Sequence, residues 1–321
     1  MTDFLDPFER MIAALFSPAA VRAAERGELD DRAWSELAAS GFLDALVPED
    51  AGGAGLSFAD IVPLWLVLGR HAVPCPVGET MIARALLAQA GRAAPDGPIA
   101  IAAQAPGAAG RVIGAALARH LLVEWEGNLY LAAVAGQAGA TGELAASVRW
   151  HSETATPVGP IVAGGLRRAA AVLRAALIAG AADRLTTMTA DYANERIQFG
   201  KPIGKQQALQ QQLAVMAEDM VAARIAAHIG GAGSFPPALA AAATAKSVAS
   251  SAAARVAAIA HAVHGAIGIS EEYDLQLYTR RLQAWRLADG SESYWNRLLG
   301  AERLAAPSGS VDFVRTALAP A

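Results

Sequence analysis

Three places in this chain carry side chains whose types and spacing could do chemistry. The first is the stretch from Tyr192 to Met216, YANERIQFGKPIGKQQALQQQLAVM. Gly200, Pro202 and Gly204 separate a helical pattern ending in Arg196 from another carrying Leu209, Leu213 and Met216. The break brings a guanidinium, Phe199, Lys201 and free backbone N–H groups to a helix start, a combination that suits a phosphate group. An ordinary helix–helix turn with surface charge has the same pattern. The second place is Leu287-Ala288-Asp289-Gly290-Ser291, a carboxylate just ahead of a helical pattern. It is either a charged group placed to use the helix dipole or a plain N-cap. The third is VHGAIG at 263–268, where His264 and the earlier His261 read as structural loop residues. The glycines of PEDAGGAGLSFAD (48–60) are followed by no Lys-Ser/Thr, so a tight connection between helices is the favoured reading there.

Composition bounds what these places can serve. The chain has 321 residues, 54% of them hydrophobic, which supplies ample core for one large domain or two to three small ones. Net charge is −4 and no Lys/Arg block stands out, which argues against a nucleic-acid partner. One cysteine, Cys75, excludes an intrachain disulfide and reads as a structural loop position. No His/Cys cluster suggests a metal. Asp3, Asp6 and Glu9 precede Met11-Ile12 in place of the basic start of a signal peptide, and no apolar run reads as a membrane span of about 20 residues. The expectation is a cytoplasmic protein with no membrane partner.

The elements that must position these residues fall into three blocks. Residues 1–97 read as an N-terminal helical domain, with Phe4, Phe8, Ile12 and Phe16 on one face. Asp30 or Asp31 caps a second helix, and Ser57 caps the helix through Trp65 and Leu68. Residues 98–158 change period: IAIAA, RVIGAA, HLLVEW, NLYLAAV and ASVRW are short strand-like runs, with Glu126-Gly127-Asn128 as a hairpin turn. Residues 159–321 return to Ala-rich helices over 160–195, 205–230, 236–264, 271–287 and 291–305, which suits a closely packed bundle. The expected fold class is α+β, mostly α.

R-x-Q-F-G-K-P-I with its Gln-rich helix, PEDAGGAGLSFAD and VHGAIGISEEYDLQLYTRR (263–281) occur in an order that resembles the acyl-CoA dehydrogenase family. The resemblance implies that family's architecture: a helical domain, a middle β-domain and a helical bundle. The middle block is short, about 60 residues where the family places about 100 or more. The family's T-E-P-x-x-G-S-D segment has no counterpart; QAPGAAG at 104–110 stands near its place, and Trp125 and Trp150 lack the context of its flavin-packing tryptophan. A short chain with depleted flavin contacts resembles the small subunits of bacterial acyl-CoA dehydrogenases built from paired unlike chains.

The resemblance also implies roles. The reaction removes a proton beside a thioester carbonyl and passes the β-hydrogen as hydride to FAD, so it needs a base and donors to the thioester oxygen. Asp289 stands where most members carry the catalytic Glu, one methylene short, and Glu292 is the other acid nearby. Arg196, Gln198 and Phe199 match contacts to the FAD of a neighbouring subunit, and Gly265 and Gly268 remain of the glycine loop. Ala262 and Ala266 replace a Gln and a Gly, which weakens the site and points to FAD that is weakly held, shared with another subunit, or absent from the isolated chain. The implied partners are an acyl-CoA substrate and a second acyl-CoA dehydrogenase chain in a homo- or hetero-oligomer, with an electron-transfer flavoprotein as one acceptor the resemblance allows. The alternative is a non-catalytic scaffold or binding subunit. Arg280 and Arg281 read either as an anion site or, preferably, as a solvated face or interhelical ion pair.

Overall fold

The computed structural model describes residues 2–28, 30–134 and 145–318. Five helices come first: α1 (Thr2–Leu15), α2 (Pro18–Glu25), α3 (Asp31–Ala39), α4 (Phe58–Arg70) and α5 (Val77–Gln89). Their starts follow cap chemistry. Asp30 accepts from the Arg32 N–H at 2.9 Å, and Ser57 forms a capping box with Asp60. Phe8, Ile12 and Phe16 are buried as their shared face requires, while Phe4 at the helix start is exposed. The 48–56 glycine segment is a tight connection: a Cβ on Gly53 would lie 2.1 Å from the Val47 carbonyl oxygen.

The strands β1 (Ile99–Ala103), β2 (Gly110–Ile113), β3 (His120–Trp125), β4 (Asn128–Ala133), β5 (Ala145–Val148) and β6 (Thr156–Pro160) form two small sheets. One has the order β1-β3-β4-β6, with β1 and β3 parallel; the other pairs β2 with β5 antiparallel. Side chains divide by parity. Ala100, Ala102, Leu121 and Val123 enter a core between the sheets, whereas Ile99, Ile101 and Leu122 join the helical core. The β3–β4 hairpin turns on Glu126 and Gly127, both left-handed, and Asn128 already belongs to β4. β6 carries no strand signal in the sequence because Pro157 and Pro160 cannot donate to a ladder; it survives as an edge strand.

The remaining helices are α6 (Gly165–Glu195), α7 (Gln207–Gly231), α8 (Leu239–His264), α9 (Leu275–Leu287), α10 (Glu292–Ala305) and α11 (Ser310–Leu318). α11 lies beyond the helices expected from periodicity. The 196–205 segment is also not a plain loop. It holds a two-residue hairpin, β7 (Ile197–Gln198) and β8 (Lys201–Pro202), turning on Phe199 and Gly200 at φ +53° and +77°. Sheet is therefore not confined to the middle block. α6 is tied to the strands by Glu124 of β3. Its buried carboxylate accepts from the Gly164 and Leu166 N–H groups, satisfying free donors where the helix dipole is positive.

α8 is long and apolar enough, by length and composition, to cross a membrane, contrary to the sequence expectation. Here it packs against α6, α7, α9 and α10 and buries Lys246, Ser247 and Ser250. Small residues let these helices meet. At the α4–α6 crossing a Cβ on Gly180 would stand 1.9 Å from the Leu66 carbonyl oxygen, and one on Gly69 2.1 Å from that of Leu177.

Gly180→Ala should therefore lower stability by about 1–3 kcal/mol, since backbone rather than a flexible side chain must yield. Gly300→Ala, in α10 with nothing within 4 Å of the added methyl, should be neutral or stabilising by up to about 1 kcal/mol. Calorimetric midpoints of the two variants check the opposite signs.

Candidate functional site

The α9–α10 connection is built around Asp289 and Gly290, both left-handed, at φ +57° and +109°. Gly290 has no alternative: a Cβ there would lie 2.5 Å from the Tyr294 ring and 2.8 Å from the Trp295 indole nitrogen. An Asp tolerates the left-handed region better than most residues. Asp289 makes no side-chain cap to α10, so the N-cap reading of the sequence is not the one observed.

Its carboxylate turns to the interior instead. Asp289 Oδ2 accepts from Arg174 Nε at 3.0 Å, and Arg174 Nη1 donates to Glu79 Oε1 at 2.5 Å. Arg174 is 1% exposed in the middle of α6, and Glu79 is buried on α5. Burial would pull the Arg174 guanidinium down, but Glu79 and Asp289 more than offset it and leave it raised. From the other side, Lys246 of α8 holds the same turn. Its Nζ donates to the Gly290 carbonyl at 2.8 Å, the Arg286 carbonyl at 2.8 Å and Ser250 Oγ at 2.9 Å. Burial pushes this ammonium down to about 7, with Asp289 and Glu292 opposing and Arg174 and Arg286 assisting the shift. Glu292 is paired with Arg286 at 2.5 Å, which holds its carboxyl below the usual range.

One cavity is walled by the start of this turn and a second touches Glu79 of its network. The first is large, about 1020 Å³, and lies between β2/β5 and α8/α9, walled by Ile113, Ala145, Ala257, Trp285, Leu287 and Ala288. Asp289 is not in its lining. Its polar end carries Glu25, to which Arg280 and Arg281 donate at 2.5 and 2.6 Å, so these arginines form an interhelical ion pair as preferred from the sequence. The other cavity, about 20 Å³, is lined by Glu79, Pro76, Leu177 and Trp285. Cys75 lies at its wall; burial pushes the thiol up to about 12, so it is an inert core residue.

The remaining candidates gather at the far end of the bundle. Arg196 is the C-cap of α6 and is exposed, as is Gln198 on β7. Phe199 at the hairpin tip is 92% exposed. Gly265, at φ +61°, closes α8 with open space at its Cβ position. Gly268 does not face outward: a Cβ there would meet Leu275 and His264 of its own chain at 3.0 and 3.1 Å. The two loops are joined through Tyr192, whose ring stacks on His264 at 4.5 Å. His264 Nδ1 also bonds the Ala260 carbonyl at 2.8 Å, and burial lowers its pKa, so it is the structural residue expected. Arg196 follows Arg174 by 22 positions, about 33 Å along a straight helix. Asp289, held at Arg174 within α6, is thus well separated from the Arg196 loop at the C-terminus of that helix. Among the described residues no group of three or more His, Cys, Asp or Glu is placed to hold a metal.

Glu79, Arg174 and Lys246 escaped the sequence reading. The signal was present as a lone charge inside an apolar run, VLRAALI for Arg174 and AAATAKSVAS for Lys246. Charged residues are almost never fully buried unless paired, so such positions mark buried polar contacts.

The model of the acyl-CoA dehydrogenase N-terminal domain matches residues 2–94, and that of the acyl-CoA dehydrogenase C-terminal domain matches residues 165–305. The acyl-CoA dehydrogenase IpdE2 of Mycobacterium tuberculosis is 35% identical over 290 residues, covering 84% of this chain and 87% of that protein. This chain belongs to the acyl-CoA dehydrogenase family. IpdE2 of Mycolicibacterium smegmatis is 33% identical over 286 residues, covering 83% and 86%. Among solved structures, the Tcur3481-Tcur3483 steroid ACAD G363A variant matches with a TM-score of 0.79 at 24% identity, over 95% of this chain and 99% of that one. The ChsE4-ChsE5 complex from Mycobacterium tuberculosis follows at 0.78 and 24%, over 96% and 98%. These likenesses carry the three-part fold, and the two matched domains flank the strand region of this chain.

The Lys246 shift has a definite pH consequence. Its folded value, about 7, lies below its ordinary 10.5, so the unfolded chain binds more protons between them. The cost of burying the charge is full below about pH 7 and is relieved as pH rises, at up to about 1.4 kcal/mol per unit. Urea midpoints from pH 7 to 10 should therefore climb relative to those of Lys246→Met, in which this slope is absent. Parallel curves for the two proteins would refute the assignment.

Proposed function

We propose that this chain is a subunit of an FAD-dependent acyl-CoA dehydrogenase that oxidises an acyl-CoA thioester to the trans-2-enoyl-CoA, and that it works with a second acyl-CoA dehydrogenase chain. The observation that carries the reading is the placement of Arg196, Gln198 and Phe199. They stand exposed at one end of α6, about 33 Å along the helix from the residue that holds Asp289. In a single chain they cannot serve the region around the 287–291 turn. An apolar ring 92% exposed at a hairpin tip suits burial under another chain.

The residues present fit the edge of a shared cofactor better than a complete cradle. Gly265 leaves open space at the loop, whereas Gly268 packs on its own chain, and Ala262 and Ala266 supply neither a side-chain donor nor glycine freedom. FAD, when bound, supplies the acceptor for the hydride leaving the β-carbon. Arg196 would hold a phosphate oxygen, Gln198 would add a hydrogen bond, and Phe199 would cover an apolar edge. The relatives named for steroid metabolism and for paired chains support a bulky acyl group and an unlike partner.

Co-expression with a longer acyl-CoA dehydrogenase chain tests this reading. A stable, yellow assembly is expected, while the isolated chain binds FAD weakly or not at all. Arg196→Ala should lower flavin affinity of the assembly about 10- to 150-fold, the equivalent of one charged hydrogen bond, with the melting midpoint unchanged. A chain that binds FAD tightly alone, or that forms no assembly with any such partner, would exclude the proposal.

A further inference from the structure

We propose that Asp289 is not a proton acceptor but a positioning residue, the anchor of a largely buried Glu79–Arg174–Asp289 network that fixes the α9–α10 turn. The anchor does not rest on the subunit reading above.

Three observations carry it. The first is occupancy. Asp289 Oδ2 is engaged at 3.0 Å by a guanidinium that is 1% exposed and whose other arm holds Glu79 at 2.5 Å. A general base must reach the proton it takes within hydrogen-bond distance of the substrate carbon or its water. The second is space. The cavity lined by Glu79 beside this network is about 20 Å³, room for about one water, and Asp289 does not line the cavity of about 1020 Å³. It is Leu287 and Ala288 that face the large cavity, so the network sets the position of that wall without entering it.

The third is partnering. Arg174, 1% exposed, meets one carboxylate on each side, Glu79 at Nη1 and Asp289 at Nε. Removing the Asp289 charge leaves the Nε side of a buried guanidinium without its acceptor, and breaking a buried pair from one side is strongly destabilising. The other charged groups near the turn are Lys246 of α8, which holds its backbone carbonyls, and Arg286 of α9 with Glu292 of α10, which are paired with each other.

The anchor and base readings predict opposite signs. In the isolated chain Asp289→Asn keeps the left-handed backbone and removes only the charge. It should lower the melting midpoint by about 5 °C. Neutralising the whole network with Glu79→Gln, Arg174→Met and Asp289→Asn together should recover at least half of that loss, since removing all members avoids stranding one. Asp289→Glu forces an extra methylene against Arg174 and should also lower the midpoint. In an active assembly, assayed below all midpoints, Asp289→Asn should keep kcat/KM within about threefold, where loss of a general base costs at least about 100-fold. A 100-fold loss at unchanged midpoint, or a gain in activity from Asp289→Glu, would overturn the proposal. Strictly additive midpoint shifts across the network variants would overturn it as well. Should no partner yield activity, the subunit reading fails, and the midpoint cycle still decides the anchor.

Discussion

The arrangement depends on keeping one guanidinium out of water. Arg174 sits midway along a helix of Ala, Leu and Val, where an unpaired charge would cost several kcal/mol. Its two carboxylates come from different blocks of the chain, Glu79 from α5 and Asp289 from the α9–α10 turn. One buried cation thereby fixes the N-terminal helices and the end of the bundle to the same helix. A pair of this kind adds little net stability over apolar side chains of equal volume. What it does is make one arrangement of α5, α6 and the turn much better than its neighbours, because any slip leaves a charge without a partner.

The small residues around it make such precision possible. Gly69 and Gly180 bring α4 and α6 so close that a methyl group on either would overlap backbone of the other helix. Ala171, Ala175, Ala242 and Ala245 line the bundle interior with side chains that lose no rotamer freedom. Lys246 then reaches from α8 to the carbonyls of Arg286 and Gly290, groups that a helix end and a left-handed turn leave unbonded. The turn is held from two sides by two cations, one through its carboxylate and one through its backbone.

Much of the frame was legible in the sequence for reasons that are local. Asp30 and Ser57 are caps because their side chains reach the free N–H groups of the next turn. The switch to period two at Ile99 marks strands because alternate residues face two different cores. The misses have equally physical causes. β6 carries two prolines and only an edge strand tolerates them. The β7–β8 hairpin is too short for any periodicity, and the non-glycine Phe199 at positive φ gives no turn signal. The site was less legible than the fold. Family position singled out Asp289, but its partners come from residues 115 and 210 positions away, and no spacing rule links Glu79, Arg174 and Asp289.

The same residue position can therefore hold two quite different physical states on one backbone. A carboxylate that is to accept a proton must face a cavity and tolerate losing its charge. A carboxylate that neutralises a buried arginine must do neither. Asp289 meets the second description: it is pinned by Arg174, it does not line the large cavity, and the small void lined by Glu79 holds about one water. The shorter side chain agrees with this, since Asp spans the distance from the left-handed turn to Arg174 Nε at 3.0 Å. The turn held at Arg174 and the outward-facing Arg196 loop at the C-terminus of α6 are thus well separated within this chain. Phe199 at the hairpin tip and the space beside Gly265 are left uncovered by the single chain.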